Sequence, residues 1–188
     1  MARSFLEVRY INKNIDYDGS QLSPHWIYET TGVMGDTAVS FCGSCDIRDD
    51  EMADVEDIVA ESPIKSDKML HFIIELFGRD CMFAASIQSV FMSEIQCELL
   101  QRGHSIVKKG DDLFFGKGKL SISVASVSVV SGLIHIGLNI TNKGTPVKTS
   151  SLSDLKIEPK AFATAVLKRL GKEYSRIILA ASKVRARP

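Results

Sequence analysis

Residues 119–130, KLSISVASVSVV, alternate apolar and small polar side chains over most of their length. Leu120, Ile122 and Val124 fall on one side, and Ser121, Ser123 and Ala125 on the other. Successive side chains of a strand point to opposite faces, so this period of two commits the stretch to a strand with unlike faces. A helix would scatter the same residues around its circumference. The turn pair Ser131-Gly132 follows, and LIHIGLNIT, residues 133–141, then reads as a returning strand. With HSIVK and DLFFG upstream, the expectation is an antiparallel meander.

Strand patterns recur nearer the start, in residues 3–11, residues 36–41 and the apolar run KMLHFIIELF at 68–77, which Gly78 closes. Helical signals are interleaved with them. In SPHWIYETTG, residues 23–32, Ser23 can cap, Pro24 suits the first helical position and Gly32 can end the helix. The acidic connector CGSCDIRDDEMADVED leads to a turn of helix near residues 55–59. The main helix spans residues 81–103, with Phe83, Ile87, Val90, Phe91, Ile95 and Leu99 on one face and Gly103 as its stop. Glu158-Pro159 opens two further helical stretches around Gly171. The class is therefore α+β, a central mainly antiparallel sheet flanked by helices, with residues 1–188 forming one domain.

Lys+Arg and Asp+Glu both number 23 in 188 residues. No basic excess points to nucleic acid or a membrane surface, so neither is an expected partner. The basic end carrying Lys183, Arg185 and Arg187 reads as a frayed tail. No apolar run approaches the ~20 residues of a membrane span, and Glu7 and Arg9 interrupt the only leader-like stretch. A cytoplasmic location is expected, with the four cysteines as thiols.

Several groups could carry chemistry. Cys42 and Cys45 form a lone C-x-x-C, half of a zinc site or a redox pair at most, since Cys81 and Cys97 stand far off. Among the histidines, His71 and His135 sit inside apolar strands, where packing with one satisfied ring nitrogen is the expected role. YDGSQLSPHW gathers Asp18, Ser20 and Trp26 at a helix start; a capped turn and an anion site with a tryptophan cover account for them equally well. VKKGDDLFFGKGKLSIS sets four lysines against two aspartates. Gly110, Gly116 and Gly118 are placed in its tight turns, and Lys117 toward water. Lys119 opens a strand, where a partly desolvated ammonium can neutralise a carboxylate or phosphate. On spacing alone, a solvated hairpin end is the better account of these lysines.

That stretch is similar, without a gap, to the biotin protein ligase run Val-Lys-Trp-Pro-Asn-Asp-Leu and the following Lys-Leu-Ala-Gly. Lys108, Asp112, Leu113, Lys119 and Leu120 fall on its matching positions. IHIGLNI resembles that family's Ile-Gly-x-Gly-Ile-Asn, with Asn139 on the asparagine. DGSQ resembles an early Asp-Ser-Thr-Asn, and nearly the whole chain resembles the uncharacterised, largely archaeal domain-of-unknown-function family three-six-six. The resemblance implies a biotin/lipoate ligase-like fold, related to class II aminoacyl-tRNA synthetases, with a ligand on the open face of the sheet. It further implies ATP as co-substrate, Lys119 as the catalytic partner of carboxylate and phosphate oxygens, and a carrier protein that receives the acyl group.

The chain departs from that pattern in two places. CGSCDIRDD stands where the ligases have Gly-Arg-Gly-Arg-Arg-Gly, leaving Arg48 as its one positive charge, and Lys-Leu-Ala-Gly has become Lys119-Leu120-Ser121-Ile122. The leading expectation is a protein that binds a small carboxylate- or phosphate-bearing molecule and transfers an acyl or adenylyl group. Lys119 would meet the anion, and Asp18, Ser20, Trp26, Asp112 and Asn139 would shape the pocket. A non-catalytic binding or assembly module is the alternative. Acyl transfer through Cys42 or Cys45 is a third reading. Exposed strand edges make a homo-oligomer a further expectation.

Overall fold

The structure is a computed structural model, and it describes residues 4–185. The last three residues of the basic tail therefore lie outside the described residues. Its strands are β1 (Glu7–Asn14), β2 (Thr37–Asp46), β3 (Lys65–Phe77), β4 (Ile106–Lys109), β5 (Asp112–Phe115), β6 (Gly118–Lys119), β7 (Ser121–Val127) and β8 (Ser131–Asn139). The α-helices are α1 (Trp26–Thr31), α2 (Val55–Val59), α3 (Cys81–Gln101) and α4 (Pro159–Ser182).

Five strands form the central sheet in the order β1-β2-β3-β8-β7. Only the β1–β2 pair is parallel, and the rest are antiparallel. The expected meander is divided: β4, β5 and β6 form a separate three-stranded sheet, while β7 and β8 complete the large one. Gly110 and Gly116 adopt left-handed backbone in the two small hairpin turns. Gly118 does not; it is needed because a Cβ there would lie 2.5 Å from the Thr149 carbonyl carbon.

Pairing registers assign each residue of the central sheet to a face. Leu70, Phe72, Ile74, Ile134, Ile136 and Leu138 point one way and meet Ile87, Phe91, Ile95 and Leu99 of α3 together with Phe162, Val166 and Leu170 of α4. Apolar positions spaced three and four apart on both helices build this interface. Tyr174 of α4 donates its hydroxyl to Asp36, whose other oxygen accepts Phe77 N–H at 2.8 Å. That acid ties the last helix to the edge of β2.

The opposite face carries Val39, Phe41, Met69, Ile73 and Cys45, covered by Tyr17, Ile27 and Trp26 from the first connection and by Ile47 and Ile64 from the acidic connector. Sequence signals misplace several boundaries, among them the first strand, which runs from Glu7 to Asn14, and the turn pair Ser131-Gly132, which opens β8. Strand β2 runs through CGSC to Asp46, because its pairing with β3 resumes after a bulge. The first helix begins at Trp26 rather than Pro24, following His25 in left-handed backbone with no side-chain cap. Helix α4 is continuous through Gly171, where an added Cβ would make only ordinary contact with Val8 at 3.5 Å.

Gly43 gives a test of this close packing. A Cβ built on it would sit 1.8 Å from the Ile15 carbonyl oxygen, a backbone atom that cannot swing aside. Gly43→Ala is expected to cost roughly 2–3 kcal/mol in urea unfolding. Gly103→Ala, in open space but at φ 86°, should lose about 1 kcal/mol. Equal midpoints would contradict the placement of Ile15 against the bulge.

Candidate functional site

A cleft opens on the second face of the sheet where β7 and β8 escape the covering segments. It has two adjoining hollows of about 270 and 230 Å³ that share Asp57, Ile64, Lys119 and Ile122. The larger lies against Tyr17, Val124, His135 and the connector from Ile47 to Asp57. The smaller is lined by Asn139, Thr145, Val147 and Thr149. Lys119 stands at the divide.

Three elements fix that lysine. Phe114 pairs with it across β5 and β6, and its N–H donates to the Lys148 carbonyl at 3.1 Å. Its own carbonyl accepts Ser150 N–H at 3.0 Å and Asn139 Nδ2 at 3.2 Å. The ammonium pairs with Asp112 at 2.8 Å. Asn139 thus touches the backbone of the residue whose charge faces the cleft, and Asp112 touches the charge itself. The other lysines of this stretch go elsewhere. Lys108 donates to Ser89 and Ser93 of α3, Lys109 lies over the Phe114 ring, and Lys117 is exposed in a turn.

Around Lys119 in the larger hollow stand six carboxylates, Glu51, Asp54, Glu56, Asp57, Asp111 and Asp112. Burial, with Asp54 and Asp111 nearby, raises the Asp57 carboxyl above its usual range despite Lys119. Burial likewise outweighs Lys119 at Asp112 and leaves that carboxyl raised. Opposite charge lowers a carboxyl pKa and burial raises it, so the direction at both sites shows that desolvation outweighs the pull of Lys119.

The floor is polar where apolar residues would be expected. His71 and His135, on neighbouring strands, are hydrogen-bonded through Nδ1 and Nε2 at 3.1 Å, and His71 Nε2 meets the Ser44 carbonyl at 3.2 Å. Tyr17 stacks on His135 with ring centroids 3.8 Å apart and 12° between planes. Burial pushes His71 down to about 4 and lowers His135 as well. His135 also occupies the second position of IHIGLNI, where the resembling motif has glycine. The sequence signal for this pair was visible: two histidines at odd positions of otherwise apolar strands that share a face.

The remaining sequence candidates lie apart from Lys119. Asp18 accepts the Ser20 N–H at 3.1 Å and its hydroxyl at 2.6 Å, and lies 3.6 Å from Arg48. Arg48 also meets Asp50 and Glu51. Trp26 packs on Phe41 under the first connection. Neither hollow is lined by Asp18, Ser20 or Trp26. Cys42 and Cys45 belong to the cores on opposite faces of the sheet, so the pair cannot grip one ion, and burial pushes the Cys45 thiol up to about 12. All four cysteines are free thiols. Among the described residues, no group of three or more His, Cys, Asp or Glu is placed to hold a metal, and no helix is long and apolar enough to cross a membrane.

Comparison with known proteins matches residues 6–185 to the family described as a domain of unknown function, DUF366. A protein of unknown function from Pyrococcus horikoshi is 38% identical and superposes with a TM-score of 0.94, covering 97% of this chain and 100% of its own. A biotin protein ligase mutant from Aquifex aeolicus, in complex with biotin, is 16% identical with a TM-score of 0.57, over 92% of this chain and 71% of that one. A putative lipoate protein ligase from T. acidophilum with bound lipoic acid is 14% identical with a TM-score of 0.56, over 89% and 85%. The fold is thus α+β of the biotin/lipoate ligase type.

The buried histidines set a pH dependence. Both have folded values below the ordinary 6.5, so the unfolded chain takes up protons first as the pH falls. The stabilising contribution of His71 is complete above about pH 6.5 and is lost progressively toward about pH 4, and His135 acts in the same direction. Between about pH 7 and about pH 5 His71 alone should remove about 2 kcal/mol from the unfolding free energy. Asp57 and Asp112, raised in the fold, act in the opposite sense at lower pH. Urea unfolding across that interval checks the sign, and a constant free energy would contradict neutral, buried imidazoles.

Proposed function

We propose a ligand-binding role for this chain, which belongs to the DUF366 family: the cleft over the second face of its sheet takes a small molecule whose carboxylate or phosphate pairs with Lys119. The observation that carries this reading is the position of the lysine. Its ammonium is held by Asp112 at the divide of two hollows, with the side chain 34% exposed. The smaller hollow adds Asn139, Thr145 and Thr149, hydrogen-bonding groups suited to orienting an acid. Two proteins of the same fold support the reading, since one is in complex with biotin and the other has bound lipoic acid.

ATP, which the resemblance to the ligases implies, does not fit the residues present. A triphosphate would face the six-carboxylate wall, and Arg48, the single arginine of the replaced loop, is already engaged by Asp18, Asp50 and Glu51. Like charge in a partly desolvated cleft is repulsive unless compensated. These residues give an adenylylation step no support, and with it goes the support for a carrier protein that receives an adenylate-activated acyl group. The saturated Arg48 favours the second reading, a binding module that keeps the sheet and lacks the ligase chemistry.

Thermal-shift titration with pentanoate, biotin, lipoate and inorganic phosphate tests the binding. At least one should raise the melting temperature of the wild type. Lys119→Gln should weaken that ligand roughly 10- to 100-fold, the worth of one charge-assisted hydrogen bond. A wild type that none of them stabilises would contradict the reading. Pyrophosphate released from ATP in the presence of such an acid would overturn the non-catalytic form of it.

A further inference from the structure

One hydrogen-bonding atom on the cleft floor is left unused by the protein. A backbone carbonyl only accepts, so the contact with Ser44 places the His71 proton on Nε2. A neutral imidazole carries a single proton, which makes His71 Nδ1 a bare acceptor. The 3.1 Å contact therefore requires His135 Nε2 to donate, and the lone pair of His135 is left on Nδ1. One carbonyl fixes the direction of the whole chain.

No described residue donates to that nitrogen. His135 lines the larger hollow, so a molecule seated there is the group left to meet that nitrogen. Access is narrow, for His135 is 1% exposed. Its backbone is bound between β3 and β7, Tyr17 covers the ring, and the second nitrogen is occupied by His71. What remains is an aimed acceptor beneath a wall of carboxylates.

We infer that His135 Nδ1 is a ligand-binding acceptor and that, with the acidic wall, it selects a molecule bearing a protonated amine in addition to the acid group that Lys119 pairs with. The inference rests on the proposed acid-binding cleft and names its ligand class, an amino-acid-like zwitterion. Three alternatives are disfavoured by charge. A second carboxylate would meet a lone pair and the acidic wall together. A hydroxyl could donate to Nδ1 but would gain nothing from the wall. An apolar end would leave the acceptor desolvated without a partner.

Pentanoate, pentylamine and 5-aminopentanoate are the probes, each titrated into the full-length protein labelled with 15N. In the free protein the imidazole spectrum should show His71 and His135 both protonated at Nε2; a proton on His135 Nδ1 would overturn the assignment. The zwitterion should bind at least tenfold tighter than either single-charge analogue and shift His135 Nδ1 most. His135→Phe should narrow the preference for 5-aminopentanoate over pentanoate by a factor of about three or more, the remainder being the pull of the acidic wall, and a preference unchanged in that variant would overturn the role of Nδ1. Should that variant fail to fold, the wild-type ranking and the Nδ1 shift decide the matter. If pentanoate binds as tightly as the zwitterion, the cleft stands and the amine assignment falls. If all three leave the wild type unmoved, both fall.

Discussion

Strands β3 and β8 are covered on both faces, and that double burial governs which polar groups the sheet can carry. On the helix side the rule is obeyed with apolar residues alone at Leu70, Phe72, Ile74, Ile134, Ile136 and Leu138. On the other side His71, His135 and Glu75 are buried as well, and each needs partners to offset its desolvation. Glu75 accepts the His25 N–H at 2.9 and 3.1 Å and the Ser131 hydroxyl at 2.8 Å. Those bonds hold His25 at φ 67°, a left-handed backbone that is unusual for a residue with a Cβ. His71 and His135 solve the same problem by bonding to each other and to Ser44. The covering segments stop short at β7, and the uncovered end is the cleft.

Charge in the cleft follows from where the small sheet is attached. The turn between β4 and β5 delivers Asp111 and Asp112, and the following hairpin returns Lys119 opposite them. The connector adds the other carboxylates from a separate part of the chain. The result is a gradient: the Lys119 ammonium at the divide, the carboxylates gathered on one side, and hydroxyls, Asn139 and Lys65 on the other. Such a gradient orients a bipolar molecule and opposes a polyanion.

Much of this architecture was legible from periodicity. Alternation at residues 121–127 marked β7, and Gly103 marked the end of the main helix within two residues; Ser131-Gly132, which reads as the turn, instead opens β8, and the chain reverses at residues 128–130. Failures came where tertiary contacts overrode local signals. Gly171 reads as a break, yet α4 runs through it, since a glycine inside a helix costs only about 1 kcal/mol and the buried Phe162, Val166, Leu170 and Tyr174 hold the helix on both sides of it. CGSC reads as a loop, yet the bulge lets β2 continue through it. Lys119 could be singled out, whereas its bond to Asp112 and the gathering of carboxylates from residues 51–57 depend on long-range folding. The histidine pair was visible only as two polar residues in apolar strands; its hydrogen-bond direction is set by Ser44, on a third strand.

The most direct test of the central claim is a crystal of the protein soaked with 5-bromopentanoate, with the bromine located by anomalous scattering. The bromine should lie within the cleft bounded by Lys119, Ile122 and Tyr17, with the carboxylate density against the Lys119 ammonium. Bromine bound only elsewhere on the molecule, with the cleft clear at a concentration that saturates binding in solution, would contradict it.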